Sequence, residues 1–194
     1  MKRKILMAFE ESINVKERFV QKYAPLIEEV SRLLASAFSD GKKLLIFGNG
    51  GSACDASHIA AEFVNRFRID RPGLPAISLN TDMAVLTSIS NDYNFNDVFA
   101  RQIKTLAEEG DIVIAISTSG ASKNVLKAID AAKKRNAKTI AFTGQKGLEF
   151  ASKCDYAFIV PSDDTPRIQE THITLGHVIC QMVEEFLFIA PRNS

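Results

Sequence analysis

The segment Leu44-Leu45-Ile46-Phe47-Gly48-Asn49-Gly50-Gly51-Ser52-Ala53-Cys54-Asp55-Ala56-Ser57-His58-Ile59-Ala60-Ala61-Glu62-Phe63 carries the clearest architectural signal in the chain. Four apolar residues end on a glycine-rich turn that runs straight into a helical pattern, the strand–turn–helix order of a parallel α/β sheet. Further short apolar runs follow at Ala76–Leu79, Ile112–Ile116, Thr139–Phe142 and Tyr156–Val160. Each is bounded by turn residues and rich in β-branched or aromatic side chains, which suits strands covered on both faces. Helix starts lie between them, as at Ser122 ahead of Val125, Leu126, Ala128 and Ile129, and at Thr165 with Pro166 in the first helical position. The pattern predicts a three-layer α/β/α sandwich around a five-stranded, parallel, doubly wound sheet. With no linker, repeat or low-complexity tract, residues 1–194 read as one domain.

Outward from this core, residues 1–40 carry a helical pattern: Ile5, Phe9, Ile13, Val20 and Tyr23, then Leu26, Ile27, Val30, Leu34 and Phe38. Pro25 predicts a break or kink between two N-terminal helices. A last helix, from about Thr165 to Phe188, is apolar around much of its circumference. So much apolar helix exceeds what one sheet needs, and predicts an oligomer into which residues 1–40 pack.

Composition narrows the partners. Twenty-four Lys and Arg against 23 Asp and Glu give a net charge of +1, and 46% of residues are hydrophobic. Disorder is excluded, and there is no electrostatic case for nucleic acid or an anionic membrane surface. A small molecule or another protein is the expected partner. Cys54, Cys154 and Cys180 have no CxxC spacing, which fits structural thiols in a reducing compartment. The basic start Met1-Lys2-Arg3-Lys4 leads into an apolar stretch that stops at Phe9 before Glu10-Glu11, and no run approaches the ~18 apolar residues of a membrane span. A cytoplasmic protein is expected.

Ligands of such sheets bind beyond the C-terminal strand ends, so the loops after the strands matter most. Gly48-Asn49-Gly50-Gly51-Ser52-Ala53 fits a dinucleotide fingerprint, GxGxxA. That reading wants an acidic residue at the end of the second strand, where Asn80 stands; Asp82 lies farther on and Asp70 precedes the strand. Ser117-Thr118-Ser119-Gly120-Ala121-Ser122 offers four hydroxyls ahead of a helix, a cup for phosphate oxygens, with no Walker lysine in it. A sugar-phosphate monoester is the natural ligand. His58 and Glu62, four residues apart, share one helix face with Asp55 and Asn65, while His172 and His177 lie on the last helix beside Gln169 and Glu170. A phosphate cup with Glu and His has the parts for aldose–ketose isomerisation, which needs a base at carbon and a group serving the oxygens. Equally, His, Glu and Gln can hold a divalent metal that polarises those oxygens.

Taken together, Gly48–Phe63, Ser90–Gln102 (SNDYNFNDVFARQ), Ile116–Val125 (ISTSGASKNV) and Pro161–Ile173 (PSDDTPRIQETHI) resemble the sugar isomerase (SIS) family, and within it the bacterial phosphoheptose isomerases. The resemblance spans essentially the whole chain. It implies the SIS fold and conversion of sedoheptulose 7-phosphate to D-glycero-D-manno-heptose 7-phosphate through a cis-enediol. That is the first step towards ADP-heptose for lipopolysaccharide core or surface glycans. It also implies a homotetramer with active sites between subunits. By the same resemblance Glu62 is the base at carbon and His177 its acid/base partner. Ser117, Thr118, Ser119 and Ser122 hold the phosphate, and Asn49, Gly50, Gly51, Ser52, Asn91, Asp92 and Gln169 line the sugar site. One zinc per subunit would sit on His58, Glu62, Gln169 and His177. Gln169 and His177 are eight residues apart, about 12 Å of rise and 80° of rotation on a regular helix, a long reach for one metal. No one of Asp163, Asp164 and Thr165 is assigned to the sugar. The rivals are a non-catalytic SIS protein that binds the replication initiator DnaA and an isomerase of a shorter sugar phosphate.

Overall fold

The computed structural model describes residues 1–189. In chain order the elements are α1 (Lys2–Ser39), β1 (Leu44–Gly48), α2 (Gly51–Val64), β2 (Ala76–Ser78), α3 (Met83–Asp92), α4 (Val98–Leu106), β3 (Ile112–Ser117), α5 (Lys123–Lys134), β4 (Lys138–Gly144), α6 (Leu148–Ser152), β5 (Tyr156–Val160) and α7 (Thr165–Glu184). A π-helical turn, Glu185–Ile189, follows α7.

All five expected strands form, and they pair in parallel in the order β2-β1-β3-β4-β5. Successive side chains alternate between the two faces. Leu44, Ile46, Ile112, Ile114, Ile116, Ile140 and Phe142 face a core shared with α1, α2 and α7. Leu45, Phe47, Val113, Ala115 and Ala141 face a second core built with α4 and α5. Covered on both sides, β1 and β3 are buried at every position, which is why they read as unbroken apolar runs. Phe142 and Phe158 meet edge-on in the first core, and Phe47 stacks on Phe99 in the second. Each of these fully buried rings contributes roughly 2–3 kcal/mol.

The strand order places the topological switch between β1 and β3. The chain leaves β1 for α2 on one face and leaves β3 for α5 on the other, so a crevice opens between the two loops the sequence had singled out.

Two expectations need correction. The N-terminal segment is one continuous helix with Pro25 inside it, not two. Proline removes the hydrogen bond to the carbonyl of Gln21, but both residues are exposed, so water can serve that carbonyl without ending the helix. The apolar circumference of α7 is also less surplus than expected. Ile168, Leu175, Ile179 and Val183 are buried within the chain against α1, α2 and the sheet. Much of the unspent apolar surface lies on α1, where Ile5, Leu6, Met7, Phe9, Ile13 and Val20 are all exposed. Arg167 ties the two helices by donating from Nη1 to the Ala8 carbonyl at 2.7 Å.

Candidate active site

The glycine-rich loop is held from three sides. A Cβ on Gly48 would sit 2.7 Å from the Ser52 Cβ and 2.9 Å from the Ile116 carbonyl, so only glycine lets α2 start so close to β3. Gly50 has φ +58°, a conformation side chains resist. A Cβ on Gly51 would run into the amide of Gln169. Asn80, standing where a dinucleotide site wants an acid, donates to the Gly48 carbonyl at 2.8 Å and accepts from the Gly48 amide at 3.2 Å. Asn49 and Asn124 exchange two amide hydrogen bonds at 2.9 Å, joining this loop to the first turn of α5.

One to three turns along α2 the side chains become reactive. His58 Nε2 lies 3.0 Å from Glu62 Oε1 and 3.4 Å from His177 Nε2. The three donor atoms fall within 4.8 Å of one another. Helical spacing places His58 and Glu62 together, and close packing brings in His177 from α7. At Gly176 an added Cβ would lie 2.7 Å from Ile59 Cγ1, so glycine allows the two helices to approach. Phe67 stacks on the His177 ring, with centroids 5.5 Å apart and planes at 27°. Burial lifts the Asp55 carboxyl to about 6, tempered by the neighbouring His58 charge, and its Oδ2 is buried without a partner.

Of the Ser/Thr loop, Ser117 and Ser122 serve the loop itself. Ser117 Oγ donates to Ser122 Oγ at 3.3 Å and accepts from the Gly120 amide at 3.2 Å. Ser122 precedes α5 as expected, yet makes no side-chain cap there. Ser119 Oγ accepts from the Ala121 amide at 3.3 Å. Thr118 and Ser119 line a cavity of about 110 Å³ with Lys146, Asp163, Thr165 and Ile168, a space of phosphate size. A larger recess of about 650 Å³ runs from Gly48, Asn49 and Gly50 to Asn91 and Phe95. Asn91 donates to Asp92 at 2.9 Å, and Asp92 is not among the groups that meet at His58, Glu62 and His177. Ser52 is buried at the start of α2. Gln169 lies against Gly51, so along the parallel helices α2 and α7 it stands two turns before His177. The reach flagged by the eight-residue spacing is this separation.

Further polar side chains are buried on α7. Arg71 donates from Nε to Glu184 Oε1 at 2.9 Å, with both side chains almost fully buried. Burial pushes the Glu184 carboxyl up, but donors from the Arg68 and Phe67 amides and from Arg71 outweigh it and hold it below the usual carboxylate range. His172 is wholly buried 3.3 Å from the Thr143 carbonyl, and burial drives it down to about 4. The cysteines are free; burial pushes Cys154 up to about 12 and Cys180 higher still, leaving both inert.

Known proteins match this architecture along nearly its whole length. The SIS domain profile covers residues 9–144. A phosphoheptose isomerase of Thermodesulfovibrio yellowstonii is 64% identical over 188 residues, spanning 97% of this chain and 94% of the relative. The chain belongs to the phosphoheptose isomerases of the SIS domain family. Solved phosphoheptose isomerases from Neisseria gonorrhoeae and Francisella tularensis superimpose with TM-scores of 0.88 and 0.90 at 37% and 36% identity. They cover 95% and 94% of this chain, and 98% and 97% of their own, so α1 and α7 belong to the shared fold.

In this SIS-domain isomerase several residues at the site carry no local sequence signal. Asn80 and Asn124 act through partners 32 and 75 positions away, and Arg71 through one 113 away. Lys146, in a short 3₁₀ turn after β4, lines the small cavity with Thr118 and Ser119 from a segment distant in sequence, where no local motif marks it.

Proposed function

We propose that this protein interconverts sedoheptulose 7-phosphate and D-glycero-D-manno-heptose 7-phosphate, supplying the heptose phosphate from which ADP-heptose for lipopolysaccharide core or surface glycans is made. The observation that carries the reading is the meeting of Glu62, His58 and His177 within 4.8 Å, on helices that begin at the crevice. Glu62 takes the proton from C1 of the ketose and returns it to C2 of the cis-enediol. His177 moves the proton between the two oxygens. Thr118 and Ser119, with Ser117 and Ser122 shaping their loop, hold the phosphate. Asn49, Gly50, Gly51, Ser52, Asn91, Asp92 and Gln169 line the path of the sugar.

Two imidazoles and a carboxylate suit a catalytic zinc, which takes three protein ligands and keeps a position open. His58, Glu62 and His177 would hold it, one ion per subunit; Gln169 would have to swing off Gly51 to join them. When bound, zinc polarises the sugar oxygens as a Lewis acid.

A homotetramer is supported by α1. Its 38 residues extend about 57 Å, and none of residues 2–14 is buried although Ile5, Leu6, Phe9 and Ile13 are apolar. An arm of this kind packs on other copies, and the active sites would lie between subunits. The cytoplasm, where the three free thiols stay reduced, is the compartment we assign. No helix among the described residues is long and apolar enough to cross a membrane.

The test is aldose formation from sedoheptulose 7-phosphate, with five- and six-carbon ketose phosphates alongside. Glu62→Gln should lower kcat by about 10²–10⁴-fold with KM little changed. A variant within a few-fold of the parent removes Glu62 from the base role. No turnover by the parent with or without zinc, together with tight binding of DnaA, would replace the enzyme reading with the scaffold one.

A further inference from the structure

The acid/base cluster is made by two helices that meet without any covalent link, so something must fix their relative position. Close packing at Gly176 and Ile59 sets how near they come, but a glycine contact does not stop one helix sliding along the other. A second set of contacts lies just beyond the cluster. Helix α2 ends at Val64, and its last carbonyls have no partner inside the helix. Arg71 supplies one: Nη2 donates to the Glu62 carbonyl at 2.9 Å and Nη1 to the Phe63 carbonyl at 2.7 Å. Its Nε donates to Glu184 Oε1 at 2.9 Å. The same carboxylate accepts from the Phe67 amide at 2.9 Å and the Arg68 amide at 3.0 Å.

Both proposed acid/base residues are thereby reached. Glu62 is held through its own main-chain carbonyl. His177 is reached twice: Glu184 lies seven residues further along α7, two turns on and close to the same face, and Phe67, whose amide Glu184 holds, stacks on the His177 ring. We propose that Arg71 and Glu184 are positioning residues that register α2 against α7, fixing Glu62 and His177 at catalytic and metal-binding distance. This rests on the roles proposed above for Glu62 and His177.

A merely structural role makes a different prediction. Buried ion pairs are often replaceable by apolar side chains without loss of stability, whereas removing one partner alone leaves a buried charge. The double variant Arg71→Met/Glu184→Met therefore separates the two. It removes the charges together, and with them the side-chain hydrogen bonds to the Glu62 and Phe63 carbonyls and to the Phe67 and Arg68 amides, while the Phe63 carbonyl keeps the Leu74 amide at 2.9 Å.

Three quantities are read on the full-length protein: the thermal midpoint, cobalt(II) affinity and absorption spectrum after metal removal, and kcat and KM separately. Positioning predicts a variant still folded at the assay temperature, with cobalt affinity and kcat each down about 10–100-fold and KM little changed. A folded double variant with the parent's cobalt affinity, spectrum and kcat overturns the proposal. Should it fail to fold, the isosteric Glu184→Gln variant is read in the same way. A parent that binds no cobalt overturns the metal reading of the cluster instead. The positioning role is then judged without metal, from the imidazole NMR signals of His58 and His177, and no change in these signals in Glu184→Gln overturns it.

Discussion

Replacing Gly176 by alanine places one methyl group where two helices have no room for it. The new Cβ would lie 2.7 Å from Ile59 Cγ1 and nearer still to its Cδ1. Carbon atoms rest at about 3.5–4.0 Å, so the helices must part by about 1 Å unless Ile59 yields. Ile59 is 1% exposed, and a β-branched side chain inside a helix has one preferred χ1, so it has nowhere to turn. Overpacking costs about 1–3 kcal/mol, while alanine regains about 1 kcal/mol of helix propensity. The net loss is about 1 kcal/mol, roughly 3 °C in thermal midpoint for a chain of this size. The neighbouring residue feels it more. Moving His177 by about 1 Å from His58, now 3.4 Å away between Nε2 atoms, should cut turnover by about 10²-fold. Calorimetry and steady-state kinetics on the same preparation check both numbers. A variant that keeps the parent's kcat refutes the idea that this helix contact sets the site.

Two further outcomes follow from single residues. His172 takes a proton near 6.5 when unfolded but only at about 4 when folded, so stability falls as pH drops through that window, by roughly 3 kcal/mol. Glu184, held below the carboxylate range, keeps its contribution to lower pH. Urea unfolding at pH 7 and pH 4 should show a smaller acid loss in His172→Leu than in the parent, and equal losses would clear His172. Ser119→Ala should raise KM for the phosphorylated sugar about tenfold, as expected for losing a hydrogen bond to a charged group; an unchanged KM counts against the hydroxyl cup.

The strands were legible because burial on both faces leaves an unbroken apolar signature, clearest in β1 and β3. The candidate site was legible where its residues are local: His58 with Glu62 by helical spacing, and Ser117 to Ser122 by composition. It was not legible where two distant segments make one contact. Nothing near Arg71 announces Glu184, and nothing near Asn80 announces its bonds to Gly48. Pro25 misled for a local reason, since its cost depends on whether the freed carbonyl faces water, and sequence periodicity does not report that. The position of Gln169 against Gly51 likewise depends on how α7 lies on α2.

Helices α2 and α7 touch at successive levels, Gly51 with Gln169, Ile59 with Gly176, His58 with His177, and the end of α2 with Glu184. Contacts at four heights hold the two helices together along most of their shared length. On the roles proposed above, Glu62 and His177 need no closure on the substrate to meet; their donor atoms already lie within 4.8 Å, and the ordering cost falls on folding rather than on each turnover. Any gate that admits the sugar and expels water must belong to other parts, such as the exposed α3 with its following turn or the loops after β3 and β4.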